Sequence, residues 1–72
     1  MKKIKKIKIS INGKLSMIND NLSLLNFIKQ LEIPLKKVAI ELNQEIIDKN
    51  NLNKIKLKKN DKIEVVHFIG GG

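Results

Sequence analysis

The stretch Lys6-Ile7-Lys8-Ile9-Ser10-Ile11-Asn12-Gly13-Lys14-Leu15-Ser16-Met17 reads as a β-hairpin. Ile7, Ile9 and Ile11 alternate with Lys6, Lys8 and Ser10. A period of two with β-branched residues on one side marks a half-buried strand. Asn12-Gly13 follows at once, and both residue types tolerate positive φ, so a two-residue turn is predicted there. Leu15 and Met17 carry the returning strand, which ends at Asp20 and Asn21. Ile4 is out of phase with the other isoleucines and belongs to a frayed start or to the opposite face.

Working outward, Ser23 is placed to cap a helix, because its hydroxyl can accept from an orphan backbone N–H. Position 26 is Asn, so the full capping box is missing. Leu22 and Phe27 are spaced for a hydrophobic staple. Leu24, Phe27, Ile28 and Leu31 recur at helical spacing and form one apolar face. Pro34 forbids continuation and pushes Ile33 towards an extended conformation. Val38, Ile40 and Leu42 then predict a third strand, Asn43-Gln44 a weaker turn, and Ile46-Ile47 a short fourth strand. Residues 48–53 are polar and asparagine-rich and read as a loop. Ile55 and Leu57 anchor a short irregular or 3₁₀ segment, and Asn60-Asp61 is a turn. Residues 63–68 form the last strand, and Gly70, Gly71 and Gly72 follow it. One helix on one face of a mixed sheet of four to five strands is the simplest α+β arrangement of these elements. The expected core is Ile7, Ile9, Leu24, Ile28, Leu31, Val38, Ile40, Ile63 and Val65.

Composition narrows the function. The chain has 72 residues, room for one domain, and no cysteine, so disulfides, thiolate metal sites and a cysteine nucleophile are excluded. Its longest apolar run is Val38-Ala39-Ile40, too short to span a membrane. Residues 1–11 interleave lysine and isoleucine, unlike a secretory signal, which points to the cytoplasm. The net charge is +8, carried by fifteen lysines without an arginine. Lys, Ile and Asn have AT-rich codons and together dominate the chain, so genome composition accounts for much of the charge. Nucleic-acid surfaces favour arginine forks and stacking aromatics, whereas this chain has two Phe and no Tyr or Trp. A soluble lysine-rich surface facing an acidic partner fits better than a nucleic-acid surface. His67 is the single histidine and lacks the companion ligands of a metal site. Glu41, Glu45, Asp61 and Glu64 are scattered, and no Walker loop or GxGxxG is present. Catalysis by the chain's own side chains is therefore not expected, and neither is a bound cofactor.

The tail is the remaining candidate. Glycines lack Cβ atoms, so an extended Gly70-Gly71-Gly72 can thread a channel too narrow for other residues. It would deliver the α-carboxylate of Gly72, ionised at neutral pH because its ordinary pKa is about 3.3–3.7. Val66 and Phe68 fall on the face of the last strand opposite Ile63 and Val65. Exposed apolar residues beside a tail suggest a docking patch.

Four stretches now stand in sequence: Ile9-Ser10-Ile11-Asn12-Gly13, the leucine-rich segment 22–31, Val38-Ala39-Ile40-Glu41-Leu42-Asn43, and Asp61-Lys62-Ile63-Glu64-Val65-Val66-His67-Phe68-Ile69-Gly70-Gly71-Gly72. With them the chain resembles the sulfur carrier family of thiamine biosynthesis, whose members have the ubiquitin-like β-grasp fold. It departs from the family pattern at Asn43-Gln44, where Asn-Gly is usual, and at Asn60-Asp61, where Gly-Asp is usual. It also lacks the aromatic often found near positions 50–54. The resemblance implies a β-grasp domain over residues 1–68 and a flexible glycine tail over 69–72. It implies that an E1-like adenylating enzyme, holding ATP and magnesium, activates Gly72 as an acyl-adenylate. A sulfur donor such as a persulfide-bearing protein then converts it to a thiocarboxylate, and thiazole synthase receives the sulfur. Gly70 and Gly71 would thread, while Val66, Phe68 and Ile69 would steady the tail root against partners. The chain itself would be a monomeric protein co-substrate, not an enzyme. The small subunit of molybdopterin synthase and other ubiquitin-like sulfur carriers share this tail chemistry. The rival of another class is a small basic nucleic-acid-binding domain.

Overall fold

The computed structural model describes residues 5–68. Strands β1 (Lys6–Ile11) and β2 (Lys14–Asn19) form the hairpin, joined by Asn12 at φ 48° and Gly13 at φ 81°. Both turn residues have positive φ, so the strands keep their natural right-handed twist through the turn. Helix α1 (Leu24–Gln30) follows, then β3 (Val38–Leu42), β4 (Glu45–Ile46) and β5 (Lys62–His67). The sheet order is β2-β1-β5-β3-β4. The central β5 runs parallel to β1 and antiparallel to β3. This is the mixed β-grasp sheet with one helix on one face, here with five strands.

Ser23 caps α1 as predicted, its hydroxyl accepting from the Asn26 N–H at 3.1 Å. The helix stops ahead of Pro34 for a reason the sequence did not advertise. Glu32 N–H donates to the Lys29 carbonyl at 3.0 Å, and Ile33 N–H to the Ile28 carbonyl at 3.4 Å. With Glu32 at φ 57°, this is a Schellman ending with glutamate where glycine is usual. Leu31 is therefore the C-cap, 45% exposed, and it is not a core residue.

Twelve side chains form the core: Ile7, Ile9 and Ile18 from the hairpin, Leu24, Phe27 and Ile28 from α1, Val38 and Ile40 from β3, Ile63 and Val65 from β5, and Leu52 and Leu57. No polar side chain is buried among the described residues. Register explains Ile18. The two-residue turn pairs Ile11 with Lys14, so Ile9 faces Ser16 and Ile7 faces Ile18. Leu15 and Met17 consequently point to the open face, 72% and 59% exposed. Three further expectations are corrected. The segment read as a loop is a 3₁₀ turn, Lys49–Lys54, capped by Asp48, whose carboxylate accepts from Asn50 N–H at 2.8 Å. It exists to bury Leu52. The short strand is Glu45–Ile46, one residue earlier than expected, and Ile47 only donates to the Ile40 carbonyl. Strand β5 ends at His67, leaving Phe68 just outside.

Asparagine substitutes for glycine throughout. Of the six non-glycine residues at positive φ, four are Asn: Asn12, Asn21, Asn43 and Asn60. Its short polar side chain lowers the cost of the left-handed region. The asparagine richness is thus spent in part on turns.

Candidate functional site

The last described residues, Val66 to Phe68, are where the chain leaves the sheet. Their position follows from how β5 is held. At its start, Asn43 donates to Asp61 Oδ1 at 3.1 Å and accepts from Lys62 N–H at 2.9 Å, while Lys58 N–H donates to Asp61 Oδ2 at 2.8 Å. These bonds lock the β3–β4 turn to the start of β5. Further along, β1 pairs with β5 only at Ser10↔Lys62 and Ile11↔Ile63, then turns away. The Asn12 side chain takes over. Its Oδ1 accepts from Val65 N–H at 2.8 Å, and its Nδ2 reaches the Val65 carbonyl at 3.5 Å. A side-chain amide thus imitates one more residue of the parallel ladder. Beyond Val65, β3 alone holds the strand, through Ala39↔Val66, Val38↔His67 and a 2.9 Å bond from Phe68 N–H to the Lys37 carbonyl. The tail root is therefore fixed along one edge only.

On the open face Val66 is 49% and Phe68 59% exposed. Val66 lies opposite Ala39, and Ile46 of β4 adds an exposed apolar side chain across Glu41. Lys49 Nζ sits 5.5 Å from the centre of the Phe68 ring, a cation–π contact worth about 0.5–1 kcal/mol at an exposed site. It couples the 3₁₀ turn to the tail root. Glu41 and Glu64 lie directly opposite each other on this same face. Like charges so placed are unfavourable, and here they lie next to exposed Ile46 and Val66.

The expected docking residues Val66 and Phe68 are brought together on one exposed face. Ile69, Gly70, Gly71 and Gly72 lie outside the described residues. His67 is exposed at the rim of the helix-side face, and no group of three potential metal ligands occurs among the described residues. No described helix is long and apolar enough to cross a membrane. Sequence reading missed the clamp by Asn12, which looked only like a turn residue, and the contact from Lys49. It also missed Ile46 as part of the patch, although a two-residue turn after Leu42 places Ile46 opposite Glu41 and so on the open face.

Comparison with known proteins gives a consistent result. The family model described as the ThiS family matches residues 5–72. The sulfur carrier protein ThiS of Bacillus subtilis is 34% identical over 65 residues, covering 89% of this chain and 98% of that protein. A thiazole synthase of Paramagnetospirillum magneticum is 33% identical over 66 residues, or 92% of this chain. The chain spans about one fifth of the length of the thiazole synthases it matches. The crystal structure of a thiamine biosynthesis protein (ThiS) from Geobacter metallireducens superposes with a TM-score of 0.81 at 26% identity, covering 92% of this chain and all of that one.

Proposed function

The chain belongs to the ThiS family, and on that premise we propose that it is a sulfur carrier of thiamine biosynthesis with Gly72 as the sulfur-bearing residue. The observation that carries the reading is a central strand, clamped at Asn12 and Asn43, that leads the chain out beside exposed Val66 and Phe68. The β-grasp domain, residues 1–68, is the handle, and residues 69–72 form the tail that threads into a partner's active site.

A carboxylate is a poor acyl electrophile, because its negative charge repels nucleophiles and oxide is a poor leaving group. Attack of the Gly72 carboxylate on the α-phosphate of ATP forms an acyl-adenylate and releases pyrophosphate. The terminal sulfur of a protein persulfide then attacks the acyl carbon and AMP departs. A thiol reduces the resulting acyl disulfide, leaving the thiocarboxylate and a mixed disulfide. ATP and magnesium are held by an E1-like adenylating enzyme, and this chain contributes recognition and a reactive terminus. The acceptor of the sulfur is thiazole synthase. Support for that partner comes from a thiazole synthase that itself contains a segment similar to nearly all of this chain. Joining carrier and synthase in one polypeptide raises their effective concentration, which suits two proteins that must meet repeatedly.

The test exploits the absence of cysteine. The purified chain is incubated with ATP, magnesium, adenylating enzyme and persulfide donor, then treated with a thiol alkylator at mildly acidic pH. A single adduct on Gly72 in the intact mass is expected, since the chain offers no other thiolate. A variant with one residue added after Gly72 keeps its fold and gives no adduct. An adduct on the extended variant, or none on the wild type with an adenylating enzyme active on its own carrier, refutes the reading.

A further inference from the structure

The lysines of this chain are not evenly spread. Lys5, Lys6, Lys8, Lys58 and Lys59 converge on one open groove of about 460 Å³. Asp20 is its single carboxylate, and Ile7 and Met17 supply apolar lining. The convergence is built by topology. The Asn60 N–H donates to the Lys8 carbonyl at 2.7 Å, which lays residues 58–60 alongside the start of β1. AT-rich codons explain how many lysines the chain has, but not why five of fifteen share one groove. The groove and the tail root lie at opposite ends of β5, six residues or about 20 Å of extended chain apart.

We propose that this groove is a second docking surface, one that takes an acidic polypeptide segment. Five lysines and one carboxylate among the lining residues call for a ligand bearing several negative charges. The lining selects among such ligands. It contains no arginine to fork a phosphate and no aromatic ring to stack a base. Met17, 59% exposed, instead offers a thioether to an aliphatic side chain between the carboxylates. A second copy of the chain is a poor occupant, since each carries a net charge of +8. Because the groove is remote from Phe68, an acidic segment can hold the domain while the tail is engaged elsewhere. The inference rests on charge and placement, and it stands independently of the sulfur-carrier reading.

The probe is a fluorescein-labelled peptide of glutamates flanking one leucine, titrated against wild type and two variants of equal net charge. One carries Lys6→Gln, Lys8→Gln and Lys58→Gln in the groove. The other carries Lys14→Gln, Lys29→Gln and Lys36→Gln outside it. Three exposed ion pairs lost together predict about a tenfold weaker groove variant, and at most about a twofold change in the control, which retains every groove lysine. Wild-type amide shifts on titration should concentrate at residues 5–8 and 58–59. Circular dichroism of both variants confirms the fold. Equal weakening of the two variants overturns the proposal, because net charge alone would then explain binding. Absence of peptide binding at low salt overturns it as well. So does tighter, groove-dependent binding of a single-stranded DNA of matched charge, or self-association seen by sedimentation.

Discussion

Asn12→Gly isolates the clamp on β5. Glycine accepts φ 48° without strain, so the turn survives and only the side-chain amide is removed. Val65 is 8% exposed, and its N–H loses the 2.8 Å bond to Asn12 Oδ1. Leaving a buried donor without a partner costs about 1–3 kcal/mol. The second bond, at 3.5 Å, is at the limit of useful geometry and adds little. A water reaching the rim offsets part of the penalty, which sets the expected loss at about 1–2 kcal/mol. For a domain of this size that is a fall in Tm of roughly 4–16 °C. Asn12→Asp keeps the acceptor and drops only the long bond, so it should lose less than about 0.5 kcal/mol. Urea unfolding gives the global values, and amide exchange gives the local one. In Asn12→Gly the Val65 amide should exchange faster, while Val38 and Ile40 retain protection relative to the new global stability. If Asn12→Gly is within about 0.3 kcal/mol of wild type, or if Val65 stays as protected as before, the clamp is not holding β5.

Gln44, at φ 74° in the β3–β4 turn, and Glu32, at φ 57° in the helix ending, each occupy a conformation that suits glycine. Gln44→Gly and Glu32→Gly should each stabilise by about 0.5–1 kcal/mol, the left-handed strain of roughly 1–2 kcal/mol less the added freedom of the unfolded chain, and a lower Tm in both would refute the strain. Glu64→Gln removes the like-charge pair with Glu41 and should raise stability by about 0.2–1 kcal/mol in urea unfolding. Phe68→Ala should leave the unfolding free energy within about 1 kcal/mol, the limit set by losing the Lys49 contact, yet raise the KM for the adenylating enzyme about tenfold or more as an anchor residue does. An unchanged KM would remove Phe68 from the interface.

What the sequence revealed and what it hid divide along physical lines. The first hairpin was legible because alternation and Asn12-Gly13 point to the same structure. Ser23 announced the helix start. Leu15 and Met17 lie on the returning strand as expected, and the two-residue turn fixes the register that puts Ile18 opposite Ile7 in the core. Leu52 was not legible in the same way. It is one apolar residue among lysines and asparagines, with no periodicity, and only the space beneath the 3₁₀ turn gives it a role. The helix ending was hidden because Glu32 is the wrong residue type for the conformation it adopts. The Asn12 clamp joins residues 53 apart in sequence, so no local pattern could show it. Of the candidate site, the sequence placed Val66 and Phe68 on the open face, where both are exposed, but did not place Lys49 or Ile46 beside them, since these depend on how the chain around β4 meets the sheet.

The two faces of the sheet obey different rules. Towards the helix, every buried side chain is apolar and no buried polar group lacks a partner among the described residues. The open face accepts choices that cost stability: two glutamates opposite each other, and Leu15, Met17, Ile46, Val66 and Phe68 left exposed. A sequence selected for folding alone would exchange one glutamate for a neutral β-branched residue and make the exposed positions polar, with no effect on the core. The glutamate pair and Val66 lie on or beside β5, with Phe68 directly after it, whereas Leu15 and Met17 lie two strands away on β2. A partner presenting apolar surface with a basic group between would cover the patch and neutralise the glutamate pair in one step. What is unfavourable in the free chain would become favourable only in such a complex, and on the proposed sulfur-carrier reading that difference would help to drive docking.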